Sequence, residues 1–236
     1  ALTDQDKAGA RAAVEAFMRA RISTAQQGVQ TGEARIYLSE GAENDYTSGP
    51  DMTLFGTSNP RFSRYVLRIA TGVWPARMLF VVRVYEKTQD AGETGFFEEV
   101  LTVIKKGNGY KIDSAKRGTY FNLPRTDEGK KAWKTLEKYL EARLKRDADT
   151  AWSLYTLSLR KELSEKSPDA KLLLSGPSNP HPFRYEILSS GRGEGGRIDF
   201  NVRLYEEYTG QGETGYADFR IILIPSGGEY LIDATK

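Results

Sequence analysis

The chain has 236 residues, with 34 lysines and arginines interspersed among 32 aspartates and glutamates, and it contains no cysteine. The missing cysteine excludes disulfides, thiol nucleophiles and thiolate metal sites, and the mixed charge lacks the concentrated basic face that a nucleic acid requires. The longest purely apolar run, Met78 to Val82, is far short of the roughly 20 residues that span a bilayer, so no membrane span is expected in this sequence.

Thr3 is a candidate N-cap, with Asp4 and Asp6 in the first turn. Val14, Phe17, Met18 and Ile22 then recur at helical spacing, which predicts a helix over 4–23 with Arg11, Glu15 and Arg19 outward. A shorter helical segment is predicted over 31–38, burying Ile36 and Leu38 and ending at Gly41 and Glu43-Asn44-Asp45. Ser48-Gly49-Pro50 and Ser58-Asn59-Pro60 carry turn chemistry. The pattern then changes to alternation. Tyr65, Leu67 and Ile69 are expected on one strand face, with Arg64 and Arg68 on the other. In the next strand Met78, Phe80, Val82 and Val84 share a face opposite Leu79, Val81, Arg83 and Tyr85. A loop with Asp90, Gly92 and Gly95 returns the chain into 96–106, and Gly107-Asn108-Gly109 closes a hairpin into Tyr110-Lys111-Ile112-Asp113.

Residues 117–129 form a polar linker. Thr126-Asp127-Glu128 starts a second long helix to about 146, with Trp133, Leu136, Leu140 and Leu144 inward. One shorter helix holding Trp152, Leu154, Tyr155 and Leu157 follows. Leu172-Leu173-Leu174 then leads into Gly176-Pro177-Ser178-Asn179-Pro180 and a further set of four strands, with a flexible turn at 192–196.

The two strand sets are one pattern written twice. Val82-Arg83-Val84-Tyr85-Glu86 and Gly92-Glu93-Thr94-Gly95 return as Val202-Arg203-Leu204-Tyr205-Glu206 and Gly212-Glu213-Thr214-Gly215, at a constant spacing of 120. Without a gap from 56/176 to 116/236, 22 of 61 positions are identical, where ordinary residue usage gives roughly 4. The expected organisation is a tandem duplication, with domains over 1–120 and 121–236. The inward positions match in kind between copies (Met78/Ile198, Phe80/Phe200, Val82/Val202, Val84/Leu204). The outward ones do not, since Leu79 and Val81 face Asp199 and Asn201 across the repeat. The first outer face is therefore apolar where the second is wet, which is explained if the linker or the second unit covers the first. A symmetric sheet-to-sheet pairing fits less well, since it would bury Asp199 and Asn201 without evident partners.

Phe17-Met18-Arg19-Ala20-Arg21, Ile36-Tyr37-Leu38-Ser39 and Tyr110-Lys111-Ile112-Asp113-Ser114 resemble the nuclear-transport-factor-two-like superfamily. Tyr139-Leu140-Glu141-Ala142-Arg143 and Tyr230-Leu231-Ile232-Asp233 carry the resemblance in the second copy. It implies an α+β fold of two tandem cone-like domains, each with N-terminal helices packed on a curved antiparallel sheet, as in ketosteroid isomerase and scytalone dehydratase. The style is closest to accessory copies in secreted proteins and lipoproteins of bacteria, which implies an extracytoplasmic, envelope-associated location. That fold hosts enzymes and plain interaction modules alike, so function has to be argued from a site.

An isomerase of this fold needs a carboxylate base and an acidic donor converging in an apolar pocket. Tyr37, Tyr65 and Tyr85 offer donors, but no acid is placed beside them, and Asp113 and Asp233 are expected to point outward. A dehydratase-like arrangement has only His181, in a loop between two prolines. Arg83 with Tyr85, and Arg203 with Tyr205, lie two apart on one strand face and suit an anion. They equally suit a cross-strand ladder in which Arg83 pairs with an acid such as Glu98. The tyrosines with Trp74, Trp133 and Trp152 either line a ligand site or fill the core. The candidate ligand-binding residues are therefore Tyr37, Tyr65, Arg83, Tyr85, Tyr185, Arg203 and Tyr205, with no catalytic residue, metal or cofactor implied. The expected function is a non-enzymatic binding or protein-interaction module, with a protein or a small apolar molecule as partner. The alternative is an isomerase- or dehydratase-like protein using the cone pocket. The two readings differ in whether the pockets are filled by their own aromatics or stand open with converging polar groups.

Overall fold

The computed structural model describes residues 2–27, 32–48, 54, 59–73, 76–176 and 179–236. The turns expected at Gly49-Pro50, Ser58 and Pro177-Ser178, the start of the 31–38 segment, and Trp74 lie outside these residues. The chain divides into two compact units, Ala1–Leu123 and Pro124–Lys236.

In the first unit, helix α1 (Asp4–Gln27) begins with a reciprocal cap. Thr3 Oγ1 accepts from the Asp6 amide at 3.1 Å, and the Asp6 carboxylate accepts from the Thr3 amide at 3.0 Å. Asp6 also accepts from Lys105 and from the Tyr110 hydroxyl, which ties the helix start to a strand hairpin. Ala10, Val14, Phe17 and Met18 form the buried stripe. A 3₁₀ turn, Gly32–Tyr37, comes next. Ile36, expected inside, is 60 % exposed, whereas Ala34 is fully buried. With three residues per turn, positions two apart point about 240° from each other, so Ala34 takes the inward place. The polar run Glu43-Asn44-Asp45, expected as a terminator, instead lies within helix α2 (Glu40–Ser48). Ser39 Oγ caps it by accepting from the Ala42 amide, acids occupy its first turn, and Ala42 and Tyr46, four apart, are both buried.

The sheet runs β1 (Arg61–Val73), β2 (Arg77–Thr88), β3 (Gly92–Lys106), β4 (Gly109–Arg117), all antiparallel neighbours, with the short β5 (Phe121–Asn122) paired to β3. A bulge between Leu67 and Ile69 changes the phase of β1. Leu67 sits opposite the inward Val82 but Ile69 opposite the outward Val81, so Ile69 leaves the face expected for it. Strand β5 falls in the stretch read as linker. Phe121 is buried there, edge-on to Phe96 with ring centroids 5.5 Å apart.

The second unit starts with helix α3 (Asp127–Leu144), capped by Thr126, whose Oγ1 accepts from the Gly129 amide. Where one helix was expected there are two, α4 (Ala148–Ser153) and α5 (Leu157–Lys166), followed by α6 (Ala170–Leu173). Thr156 explains the break, since its hydroxyl caps the start of α5 just as Asp147 caps the start of α4. Leu157 consequently begins a new helix and is 80 % exposed. Strands β6 (His181–Arg192), β7 (Ile198–Tyr208), β8 (Gly212–Ser226) and β9 (Glu229–Thr235) form an antiparallel sheet in sequence order.

On both sheets the inward positions of the long second strand are buried, Phe80 and Val82 in one, Phe200 and Val202 in the other. The outward faces differ: Val81 and Arg83 are fully buried, while Asn201 is exposed and its side chain donates to the neighbouring Ser189 hydroxyl at 2.7 Å. Among the described residues no helix is long and apolar enough to cross a membrane.

Candidate functional site

The two sheets offer matching inner surfaces because their irregularities fall at matching places. Bulges at Phe62/Arg64, Leu67/Ile69, Glu86/Lys87 and Thr102/Val103 have counterparts at Pro182/Arg184, Ile187/Ser189, Glu206/Glu207 and Ile222/Leu223. The helices are docked alike as well. Leu38 bridges Ile112 and Tyr155 bridges Ile232, both in parallel. Ser39 and Thr156 cap the next helix while their hydroxyls reach Asp113 and Asp233, at 3.4 Å and 2.9 Å. The recurring aspartates thus hold the helix start against the last strand. Thr156→Ala removes both the cap bond to the Leu159 amide and the link to Asp233, and is expected to cost about 1–2 kcal/mol, read as a shift of the urea midpoint at unchanged slope. By these anchors Tyr46 corresponds to Leu163, Leu38 to Tyr155 and Glu99 to Phe219, and the buried stripes Ala10, Val14, Phe17, Met18 and Ala132, Leu136, Tyr139, Leu140, in equal spacing, set Arg21 against Arg143.

In the first unit the space between helices and sheet is closed by an ion cluster. Arg21, from α1, donates to the two Glu99 oxygens at 2.5 and 3.1 Å, and its Nε donates to the Leu54 carbonyl at 2.6 Å. Glu99 also accepts from Arg117 at 3.1 Å and from the Tyr46 hydroxyl at 3.4 Å. The Arg21 guanidinium lies 5.1–5.2 Å from the ring centroids of Phe17, Tyr46 and Phe62. Both Arg21 and Glu99 are fully buried. Burial alone would raise the Glu99 pKa, but the charges and hydrogen bonds of Arg21 and Arg117 outweigh it and hold the carboxyl below its ordinary value. A carboxylate so neutralised is a poor base.

The second unit leaves the corresponding space open. A cavity of about 220 Å³ lies between α3, α5, α6 and the sheet, walled by Leu140, Leu163, Leu174, Val202, Leu204 and Phe219. One side is polar: Arg143 Nη1 donates to the Tyr139 hydroxyl at 2.9 Å, which in turn shares a hydrogen bond of 2.9 Å with the Tyr155 hydroxyl. Burial, followed by the adjacent Tyr139, pushes the Tyr155 pKa far above its ordinary value, so that hydroxyl keeps its proton. Lys166 also lines the cavity but is paired with Glu162 at 2.5 Å. Among the described residues neither a carboxylate nor the histidine lines the cavity. Among the described residues no cluster of histidines and acids could hold a metal ion.

The sequence-derived candidates lie elsewhere. Tyr37 and Tyr65 are half-buried against the first unit's core, and the Tyr65 hydroxyl reaches the Glu15 carbonyl at 3.5 Å. Arg83 is buried, bonded to Glu98 at 2.9 and 3.2 Å, and stacked over Phe96 at 4.1 Å. Tyr85 lies under Arg64, and Tyr205 under Arg184, both at 3.5 Å. Tyr185 is buried, donating to Glu141 at 3.2 Å, and Arg203 holds Asp218 with two bonds of 2.7 and 2.9 Å. These residues form cross-strand ladders and helix–sheet ties, and none of them lines the cavity. His181 sits at the start of β6, its Nε2 3.3 Å from Glu207. The residues that do define the two interiors carried a signal that is visible in retrospect. Glu99 is in phase with the inward Phe97, Leu101 and Val103, and Arg21 lies seven residues after Val14 on the buried stripe of α1.

No protein-family model matches the chain, and no curated protein matches it. Among solved structures it is similar to an "Ntf2 like protein involved in plasmid conjugation", at a TM-score of 0.35 and 10% identity over 95% of this chain and 94% of that one. A likeness of this order carries nothing about what this chain does.

Proposed function

We propose that the protein is a non-enzymatic binding protein built from one domain made twice, in which the second copy receives a small apolar molecule and the first is a closed partner domain. The observation that carries this is the contrast between matched interiors. Glu99, Arg21 and Tyr46 fill one, whereas Phe219, Arg143 and Leu163 leave about 220 Å³ in the other. The absence of any carboxylate or imidazole at the cavity wall removes the base that proton-abstraction chemistry needs, which favours binding over turnover. An extracytoplasmic, envelope-associated location belongs to the proposal; the cysteine-free composition suits it, and cell fractionation tests it.

The binding claim is tested with the full chain and a small apolar probe such as indole, followed by methyl-resolved NMR. The expected result is one saturable site per chain, with shifts at Leu163, Val202 and Leu204 and none at Leu101 or Val103. Leu204→Trp, which fills the cavity, is expected to abolish those shifts while the chain keeps its fold. Two equivalent sites, or none for any apolar probe, would overturn the reading.

A further inference from the structure

The contrast between the units also says what kind of molecule fits. In the first unit the arginine on the buried face of the long helix meets an internal carboxylate, held by two bonds of 2.5 and 3.1 Å. In the second unit the arginine is kept as Arg143, but the strand position that supplied the carboxylate is Phe219. Among the described residues no carboxylate lies within ion-pair distance of Arg143, and its Nη1 donates to the Tyr139 hydroxyl. Its Nε is buried without a hydrogen-bond partner. The part-buried guanidinium at the wall of this apolar cavity thus has no carboxylate beside it and one buried N–H without an acceptor, and a carboxylate satisfies both needs with paired N–H donors.

Resting on the proposed binding role of this cavity, we infer that its ligand is an apolar monocarboxylate, with the carboxylate on Arg143 and the hydrocarbon between Leu140, Leu163, Val202, Leu204 and Phe219. The Tyr139 and Tyr155 hydroxyls stand beside the head group as further donors. Size follows from volume. An apolar cavity of about 150 Å³ takes benzene, so this one takes roughly nine or ten non-hydrogen atoms, the size of an eight-carbon acid. Lys166 is a weaker claimant for the head group, since its side chain is 67% exposed and its charge is screened by water beside Glu162.

The test is titration of the full chain with octanoate, 1-octanol and octylamine, which share a tail and differ in head-group charge. Octanoate is expected to bind at least tenfold more tightly than octanol, and octylamine not measurably. Two variants act on the two sides of the contact. Arg143→Met should erase the preference for octanoate while octanol still binds. Phe219→Glu supplies the carboxylate internally, as Glu99 does in the first unit, and should abolish octanoate binding. Melting curves establish that each variant is folded, and the wild-type comparison needs no variant. Equal binding of octanoate and octanol, or a preference that survives Arg143→Met, overturns the monocarboxylate assignment and leaves the binding cavity standing. Failure of all three probes to bind overturns the cavity reading itself.

Discussion

Replacing Glu99 with glutamine is expected to cost the first unit about 3–5 kcal/mol, because it leaves Arg21 buried without its counter-charge. Arg21 and Glu99 are both inaccessible to solvent, and three rings stand against the guanidinium. The charge therefore has neither water nor another acid to turn to. For a domain of this size a loss of that order lowers the melting temperature by roughly 10–20 °C, which calorimetry of the full chain would read. The pair is costly to break but not costly to replace. Arg21→Met combined with Glu99→Leu removes both charges while keeping the volume, and should recover most of the loss. If the double variant were no better than Glu99→Gln, shape and not charge would be what the cluster provides.

The same cluster sets an acid limit on stability. The Glu99 carboxyl titrates at 4.5 when free and lower than that in the folded chain. A group whose folded pKa is depressed contributes its stability above the unfolded value and loses it as the pH falls towards the folded one. The wild type should therefore weaken as the pH drops below about 4.5, and Glu99→Gln should show a shallower decline over that range.

How far the letters announce the structure depends on which physical signal each element carries. The long helices and strands were legible because many positions vote together: four inward residues of β2 and β7 agree in kind, and all of them are buried. Short helices with only one or two buried contacts were not. Helix α2 rests on a Ser39 cap and the pair Ala42 and Tyr46, within a sequence whose Glu, Asn and Asp read as a terminator. The break between α4 and α5 depends on a single capping threonine. The bulge that displaces Ile69 was hidden for a related reason, since one extra residue inverts the face of every position after it. The site was the least legible part. Aromatic and arginine pairs on strands drew attention to the ladders, whereas the cavity is lined by ordinary apolar residues, with Phe219 and Leu163 standing where the first unit has Glu99 and Tyr46. An ordinary apolar residue in place of a charged one leaves no motif. It becomes informative only beside the matching position of the other unit.

The repeated Arg-X-Tyr stretch provides the sharpest comparison, because the same letters are set in two environments. Arg83 and Glu98 are 0% and 3% exposed, with Phe96 under the guanidinium and Phe121 packed on Phe96. Arg203 and Asp218 make an equally direct pair at 2.7 Å, yet are 28% and 49% exposed, over a Tyr216 ring that is itself exposed. Coulomb attraction at these distances is similar in form, but water screens the second pair and not the first. Arg83→Ala is accordingly expected to cost about 3–5 kcal/mol, since it strands the Glu98 carboxylate in an apolar layer. Arg203→Ala should leave the melting temperature almost unchanged. Adding salt separates the two further, weakening what little the exposed pair contributes and leaving the buried one as it was. Melting temperatures of the two single variants, measured at low and high salt, decide the matter. Equal losses would mean that the first sheet's outer face is wet in solution and that its arginine ladder stabilises the fold no more than its twin does.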